Sequence, residues 1–599
     1  MKNFQFAIIL ILSTVLATTA SAFQAAETKD KLSVAGIFGD GMVLQQQASA
    51  AIWGTTNANA KVTVAPSWGD DLYEVQADKD GKWRTAIDTP NAGGPFTIVV
   101  SSGSARKEFK NVLSGEVWIC SGQSNMQWKL RGFGVDHFKE DVEKANHPSI
   151  RFCELPQTLA LTPQDDIRTK WQKCTPQSAL RFSCVAYFFG DKLREELNVP
   201  IGLISTNWGG SSIEAWMNSK DLKNDFPEFN ETLNKYPALA EQHGAVHANN
   251  KKKPRGLNQK LPSVLYNQML RPIIPYSARG VIWYQGEANV ERPLQYRKLF
   301  PSLITNWRKE WGQGDFPFYF VQIAPFQYKK EPLPAALLRE AQFQTLAVAN
   351  TGMAVTMDIG NPNNIHPKQK KPVGERLAML ALANDYGKTN LVCSGPEFVA
   401  HKIEADKVRL EFKHVGGGLT TRDGDTPSHF TIAGEDKVFH AADAKIDDDT
   451  ILVSSKEVSQ PVAVRYAWGN ADQPNVMNKE GLPSSSFRTD QWEIKPRPIK
   501  APVPRKSAAK SNKPKPNAPN QTPINVFGYT LLPKENAPET FNAGYSMYQT
   551  IWPLLETHPG KDYQSGVFGT WMRLAPGDLK DEKIGGEKRG GIGYNTVEG

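Results

Sequence analysis

Cysteine is scarce in this 599-residue chain: Cys120, Cys153, Cys174, Cys184 and Cys393 are the whole supply. None of them forms a Cys-x-x-Cys pair or a close cluster, which excludes a redox dithiol and a zinc ribbon. At most two disulfides can form, and Cys153–Cys174 is the pairing expected. Gly-x-x-x-x-Gly-Lys-Ser/Thr, His-Glu-x-x-His and Gly-x-Gly-x-x-Gly are all missing, so neither nucleotide nor metal chemistry is called for and no cofactor is expected. Repeats of 20–50 residues are also absent. An excess of basic charge over the body of the chain is missing too. The formal net charge is +8, but the segment Lys495–Pro523 carries eight Lys/Arg and no acid, and the remaining 570 residues sum to zero. A basic nucleic-acid-binding face is therefore not expected.

Apolar residues make up 40% and charged residues 22% of the chain, ordinary usage for a folded protein. Its length exceeds the roughly 100–200 residues of one domain. Residues 1–22 read as a secretory signal peptide, with Lys2, a mostly apolar run from Phe6 to Ala20, and the small-residue site Ala20-Ser21-Ala22. Ser13, Thr14, Thr18 and Thr19 dilute that run, and no later stretch is apolar enough to span a bilayer. A secreted or periplasmic protein is expected, with association at the cell surface left open. Residues 33–112 alternate in short strand-like runs between turns, as in an antiparallel sandwich. Residues 113–394 alternate strands such as Glu116–Cys120, Ile201–Ser205, Val281–Tyr284, Phe318–Ile323 and Ala354–Met357 with amphipathic helices, the pattern of a parallel sheet covered on both faces. A second β unit occupies 395–492, residues 495–523 form a Lys/Pro-rich linker, and 524–599 are an aromatic and Gly-rich extension of unassigned role.

Sheets of this kind place their chemistry beyond the carboxyl ends of the strands, and four strand ends carry suitable groups. Ser124 follows the first strand in Gly122-Gln123-Ser124-Asn125, where a strand should turn into a helix and free N–H groups face any oxyanion. Gly209 and Gly210 follow the second, where a glycine turn lets backbone approach a substrate oxygen. Gln285, Glu287 and Asn289 follow the third: an amide donor, an acid that is either an electrostatic partner or simply buried, and a supporting amide. Asp358, Asn363, Asn364 and His366 follow the fourth, with His366 before Pro367 in position for a general base. Each piece alone is more often a turn or a satisfied polar group. All four in order on one sheet edge point to acyl transfer.

With these residues in place the chain resembles the SGNH/GDSL hydrolase superfamily, and within it the sialate O-acetylesterase family. The resemblance rests on Gly115-Glu116-Val117-Trp118-Ile119-Cys120-Ser121-Gly122-Gln123-Ser124-Asn125-Met126, Trp208-Gly209-Gly210 with Glu214-Ala215-Trp216, Trp283-Tyr284-Gln285-Gly286-Glu287, and Ile365-His366-Pro367-Lys368. It spans residues 33–492 and stops before 495–599. The fold it implies is α/β, an SGNH-hydrolase-like parallel sheet flanked by N-terminal and C-terminal β domains. The activity it implies is metal-free removal of acetyl groups from a sugar or polysaccharide, with Ser124 as nucleophile, His366 as base, and Ser124 N–H, Gly209, Gly210 and the Gln285 amide as oxyanion donors. Family members usually carry an aspartate two or three residues before the histidine, where this chain has Asn363 and Asn364. Asn364 is then expected to hold the His366 ring, with Glu287, ahead of Asp358, supplying part of the missing field. Two alternatives stand beside sialate esters: an acetylxylan-type polysaccharide esterase, and a carbohydrate-binding protein with a decayed site.

Overall fold

Strands buried on both faces read as continuous apolar runs, and because successive side chains alternate between faces, one run must supply two cores. Val117 and Ile119 join one buried cluster while Trp118 and Cys120 join another. Val281 and Trp283 are likewise separated from Ile282 and Tyr284. In the computed structural model, which describes residues 31–494 except 135–136, 242–245, 248–255 and 329–333, together with four short strands beyond residue 523, these runs form one central sheet. Its order is Trp171–Lys173, Ile150–Glu154, Ile201–Asn207, Ala105–Gly122, Gly280–Tyr284, Phe318–Val321 and Thr351–Ala354. Every neighbouring pair is parallel except the first. Helices Pro293–Trp311 and Pro334–Gln344 bring Leu299, Phe300 and Leu338 to one core, and helices Cys184–Leu197 and Lys371–Asp385 bring Phe189 and Leu377 to the other. This is the doubly covered α/β sheet that the sequence predicts.

The chain lays down the Ala105–Gly122 strand, builds out to one side through Ile150–Glu154 and Ile201–Asn207, then crosses to Gly280–Tyr284 on the other. Such a reversal opens a crevice at the carboxyl end of the central strand, two residues before Ser124. The same strand, 18 residues long, begins in the N-terminal β unit, where it pairs with Gly93–Ser102 and Val43–Gln45. The expected division at 112/113 thus falls inside one continuous strand. On the far side, strands between Glu397 and Arg488 form two four-stranded antiparallel sheets. They dock on helix Pro334–Gln344 through Arg339, whose buried guanidinium donates to the carbonyls of Ala467 and Gly469 and to Ser486 Oγ at 2.7–3.1 Å.

Two sequence expectations are corrected. The last central strand is Thr351–Ala354, not Ala354–Met357; beyond Ala354 the Val355 carbonyl turns to accept from Arg376 at 2.7 Å instead of a neighbouring strand. The Cys153–Cys174 disulfide does not form, and all five cysteines are free. Cys153 points into one core and Cys174 into the other, on opposite faces of the sheet. The signal peptide and the 495–523 linker lie outside the described residues. In the C-terminal unit, Pro504–Gly599, the described strands pair Ile524–Val526 with Tyr529–Leu531 and Thr570–Trp571 with Tyr594–Asn595. Among the described residues no helix is long and apolar enough to cross a membrane.

Candidate active site

The central strand ends at Gly122 with φ +137°, where a Cβ would lie 2.2 Å from the Tyr284 carbonyl oxygen of the adjacent strand. Only glycine permits that approach. Gln123 N–H then donates to the same carbonyl at 2.9 Å, and the chain enters the one-turn helix Ser124–Gln127. Ser124 is left half-buried just beyond the end of the central strand, its N–H among the first-turn amides that a helix cannot satisfy internally.

His366 reaches it from the fourth strand end, with Nε2 2.9 Å from Ser124 Oγ. The ring lies against Trp128, centroids 4.5 Å apart and planes tilted by 32°. Burial pushes the imidazole below the ordinary histidine range, and the Lys370 cation pushes it the same way. A serine and a mostly neutral imidazole within hydrogen-bond reach can generate a nucleophile.

The acids and amides expected to orient His366 are engaged elsewhere. Asn364 Oδ1 accepts from the backbone N–H of His366 at 2.9 Å, closing a turn within the loop instead of holding the ring. Asn363 N–H donates to Asn361 Oδ1 in the same manner. Asp358 forms a two-pronged pair with Arg376 at 2.6 and 2.8 Å. Glu287 is buried, and its Oε1 accepts from Asn125 Nδ2 at 2.5 Å. Burial pushes its carboxyl above the usual carboxylate range. Among the described residues no carboxylate pairs with His366. Because an aspartate can accept the same backbone N–H, Asn364→Asp should change kcat/KM for a small acetate by less than about threefold, a transition-state effect below ~1 kcal/mol. A gain of tenfold or more would mean that this side chain does reach the ring.

The oxyanion donors divide. Gly209 is packed on the nucleophile, since a Cβ there would meet Ser124 Cβ at 3.3 Å. Its N–H donates to Gln127 Oε1 at 2.6 Å, and Gly210 turns the chain away with φ +70°. Gln285 corrects the expectation for the side-chain amide: it is fully buried, and Nε2 donates to the Ser211 carbonyl at 3.1 Å and to Asn289 Oδ1 at 2.7 Å. Both protons are committed. Asn289 in turn accepts from Ile213 N–H and donates to Glu214, which Arg292 neutralises at 2.6 Å. Gln285 and Asn289 therefore brace the floor under the glycine turn. Sequence reading missed Gln127, Trp128 and Lys370. The first two sit within three or four residues of Ser124, and that proximity was the available signal. Lys370 stands in Lys368-Gln369-Lys370-Lys371, where nothing in the spacing sets it apart from its neighbours.

Residues 114–383 match the family model described as carbohydrate esterase, sialic acid-specific acetylesterase. The chain is 32% identical to the sialate O-acetylesterase of Homo sapiens over 404 residues, covering 60% of this chain and 73% of that one. With the enzyme of the same name from Rattus norvegicus it shares 32% over 412 residues, 61% of this chain and 75% of the relative. Among solved structures, XAC1771, a novel carbohydrate acetylesterase from Xanthomonas citri, superposes with a TM-score of 0.68 at 37% identity, covering 77% of this chain and all of the other. By that identity and coverage the chain is an ester hydrolase and belongs to the sialate O-acetylesterase family of carbohydrate esterases.

Proposed function

We propose that this protein is a secreted carbohydrate O-acetylesterase that releases acetate from acetylated sugars through an acetyl-serine intermediate. The observation that carries the reading is the 2.9 Å contact between Ser124 Oγ and His366 Nε2 at the strand-reversal crevice. His366 takes the Ser124 proton as Oγ attacks the acetyl carbonyl, and the carbonyl π electrons move onto oxygen. Ser124 N–H and Gly209 N–H receive that oxyanion, the latter exchanging Gln127 Oε1 for substrate. Collapse breaks the bond to the sugar oxygen, which takes its proton from His366. Water, deprotonated by the same imidazole, then attacks the acetyl-serine, and acetate leaves as His366 returns the proton to Oγ.

O-acetylated sialic acid is the favoured substrate, because the proteins 32% identical to this chain over 404 and 412 residues are the sialate O-acetylesterases of human and rat. Acetate release from O-acetylated sialic acid and from acetylated xylan, compared at equal acetyl concentration, tests the choice. Preference for the xylan would move the substrate to plant polysaccharide, and no turnover of either would leave a binding protein. The reacting imidazole must be neutral, and burial holds its pKa down. The acid limb of kcat/KM is therefore expected below pH 6.5, with activity gained as pH rises through the depressed value and lost as pH falls through it. A limb at or above pH 7 would contradict it.

A further inference from the structure

Directly behind the serine and histidine lies a second contact between the same two segments. Asn125, next to Ser124, donates Nδ2 to the carbonyl of Ile365, next to His366, at 3.1 Å. This bond runs beside the Ser124–His366 contact and ties the base loop to the nucleophile turn. An asparagine amide is ambivalent, offering oxygen at one end and N–H at the other, and flipped over it would set oxygen against the Ile365 carbonyl. Two buried groups fix its sense. Lys370 Nζ sits 2.5 Å from Asn125 Oδ1, and Glu287 Oε1 accepts the other Nδ2 proton at 2.5 Å. Lys370 has no exposed surface, although burying an amine is costly. Its Nζ also stands 5.3 Å from the centre of the Tyr284 ring. It is the N-cap of the helix Lys371–Asp385, so the donor that sets the amide stands four residues after His366 in the same segment.

We propose that Lys370 is a positioning residue: with Glu287 it sets the polarity of the Asn125 amide, and that amide clamps the His366 loop against Ser124, so that the base is positioned through its backbone. The role needs only a donor at one end and an acceptor at the other. It accounts for a base whose ring has no acid partner among the described residues. It also gives the buried Lys370 and Glu287 a shared task.

The proposal rests on Ser124 and His366 being nucleophile and base, and failure of that reading would appear separately, as turnover surviving Ser124→Ala. The test uses the full chain and two readouts: p-nitrophenyl acetate kinetics, and the second-order rate at which a small fluorophosphonate labels Ser124. In Lys370→Met, kcat and the labelling rate should both fall roughly 10²-fold, the scale of a misplaced reacting pair, with KM changed less than about twofold. The double variant Lys370→Met/Glu287→Gln leaves no unpaired buried charge. It should recover the thermal transition and still turn over slowly, because Asn125 Oδ1 then has no ammonium donor and the amide placed at 287, which can accept or donate, no longer dictates which way round Asn125 sits. If Lys370→Met does not fold, the double variant carries the test alone. Full kcat in the double variant, or loss of less than about threefold in a folded Lys370→Met, would show that the pair only balances buried charge and would overturn the proposal.

Discussion

Replacing Ser124 with alanine is expected to lower kcat for a simple chromogenic acetate by a factor on the order of 10⁴ to 10⁶, the range seen when the nucleophile of a serine hydrolase is removed. The thermal transition should hardly move. Ser124 is half-buried on a one-turn helix, and losing its hydroxyl opens no cavity and strands no buried partner except the His366 nitrogen. Within the protein the effect is specific to this serine. Ser211, buried beneath the same glycine turn, accepts from Trp216 Nε1 at 2.9 Å and is braced inside the core. Its alanine variant would cost stability before it cost chemistry. Turnover above about a hundredth of the native rate in Ser124→Ala would remove Ser124 as nucleophile and leave the 2.9 Å contact without a catalytic meaning.

The largest loss of stability is expected at Arg339. Its side chain is wholly buried and donates to two carbonyls and one hydroxyl of the C-terminal β unit. Burial pushes the guanidinium down to about 10, which still leaves it protonated at neutral pH. Arg339→Met should therefore cost about 3–5 kcal/mol, since three acceptors lose their donor at about 1–3 kcal/mol for each that stays unsatisfied, and removing the costly buried charge offsets part of the sum. Denaturant titration should show an earlier transition for Glu397–Arg488, with the central sheet unfolding after it. A change below about 1 kcal/mol would mean that apolar packing of Trp468 against Ala336 and Leu337 holds the two parts together without the arginine.

The residues legible in the sequence were those whose role derives from a strand end. Ser124 and His366 are 242 positions apart, yet each comes after an apolar run, and the rule that parallel strands deliver their loops to one edge brings them together. Position along a chain says nothing about which partner a polar side chain selects once there. Asn364 lay within reach of the ring by sequence but satisfied the nearest orphan N–H, its own loop's, as asparagines in turns do. Asp358 found Arg376 one helix away. Gln285 was drawn inward because the carbonyl of Ser211 needed a donor. Lys370 was hidden for the opposite reason: in the run Lys368-Gln369-Lys370-Lys371 only one lysine is buried, and no periodicity marks which.

The 18-residue strand from Ala105 to Gly122 bears on how such a protein can be inherited or rebuilt. Its first half is held by the N-terminal β unit, its second half is the middle of the hydrolase sheet, and Ser124 stands two residues past its end. Recombination or grafting at the sequence boundary of the esterase region would therefore cut through a beam that both parts share. A replacement N-terminal unit would have to supply a partner in register for Val112 and Ser114 before the serine could sit at its proper height. The β unit and the hydrolase are thus constrained to travel as a pair.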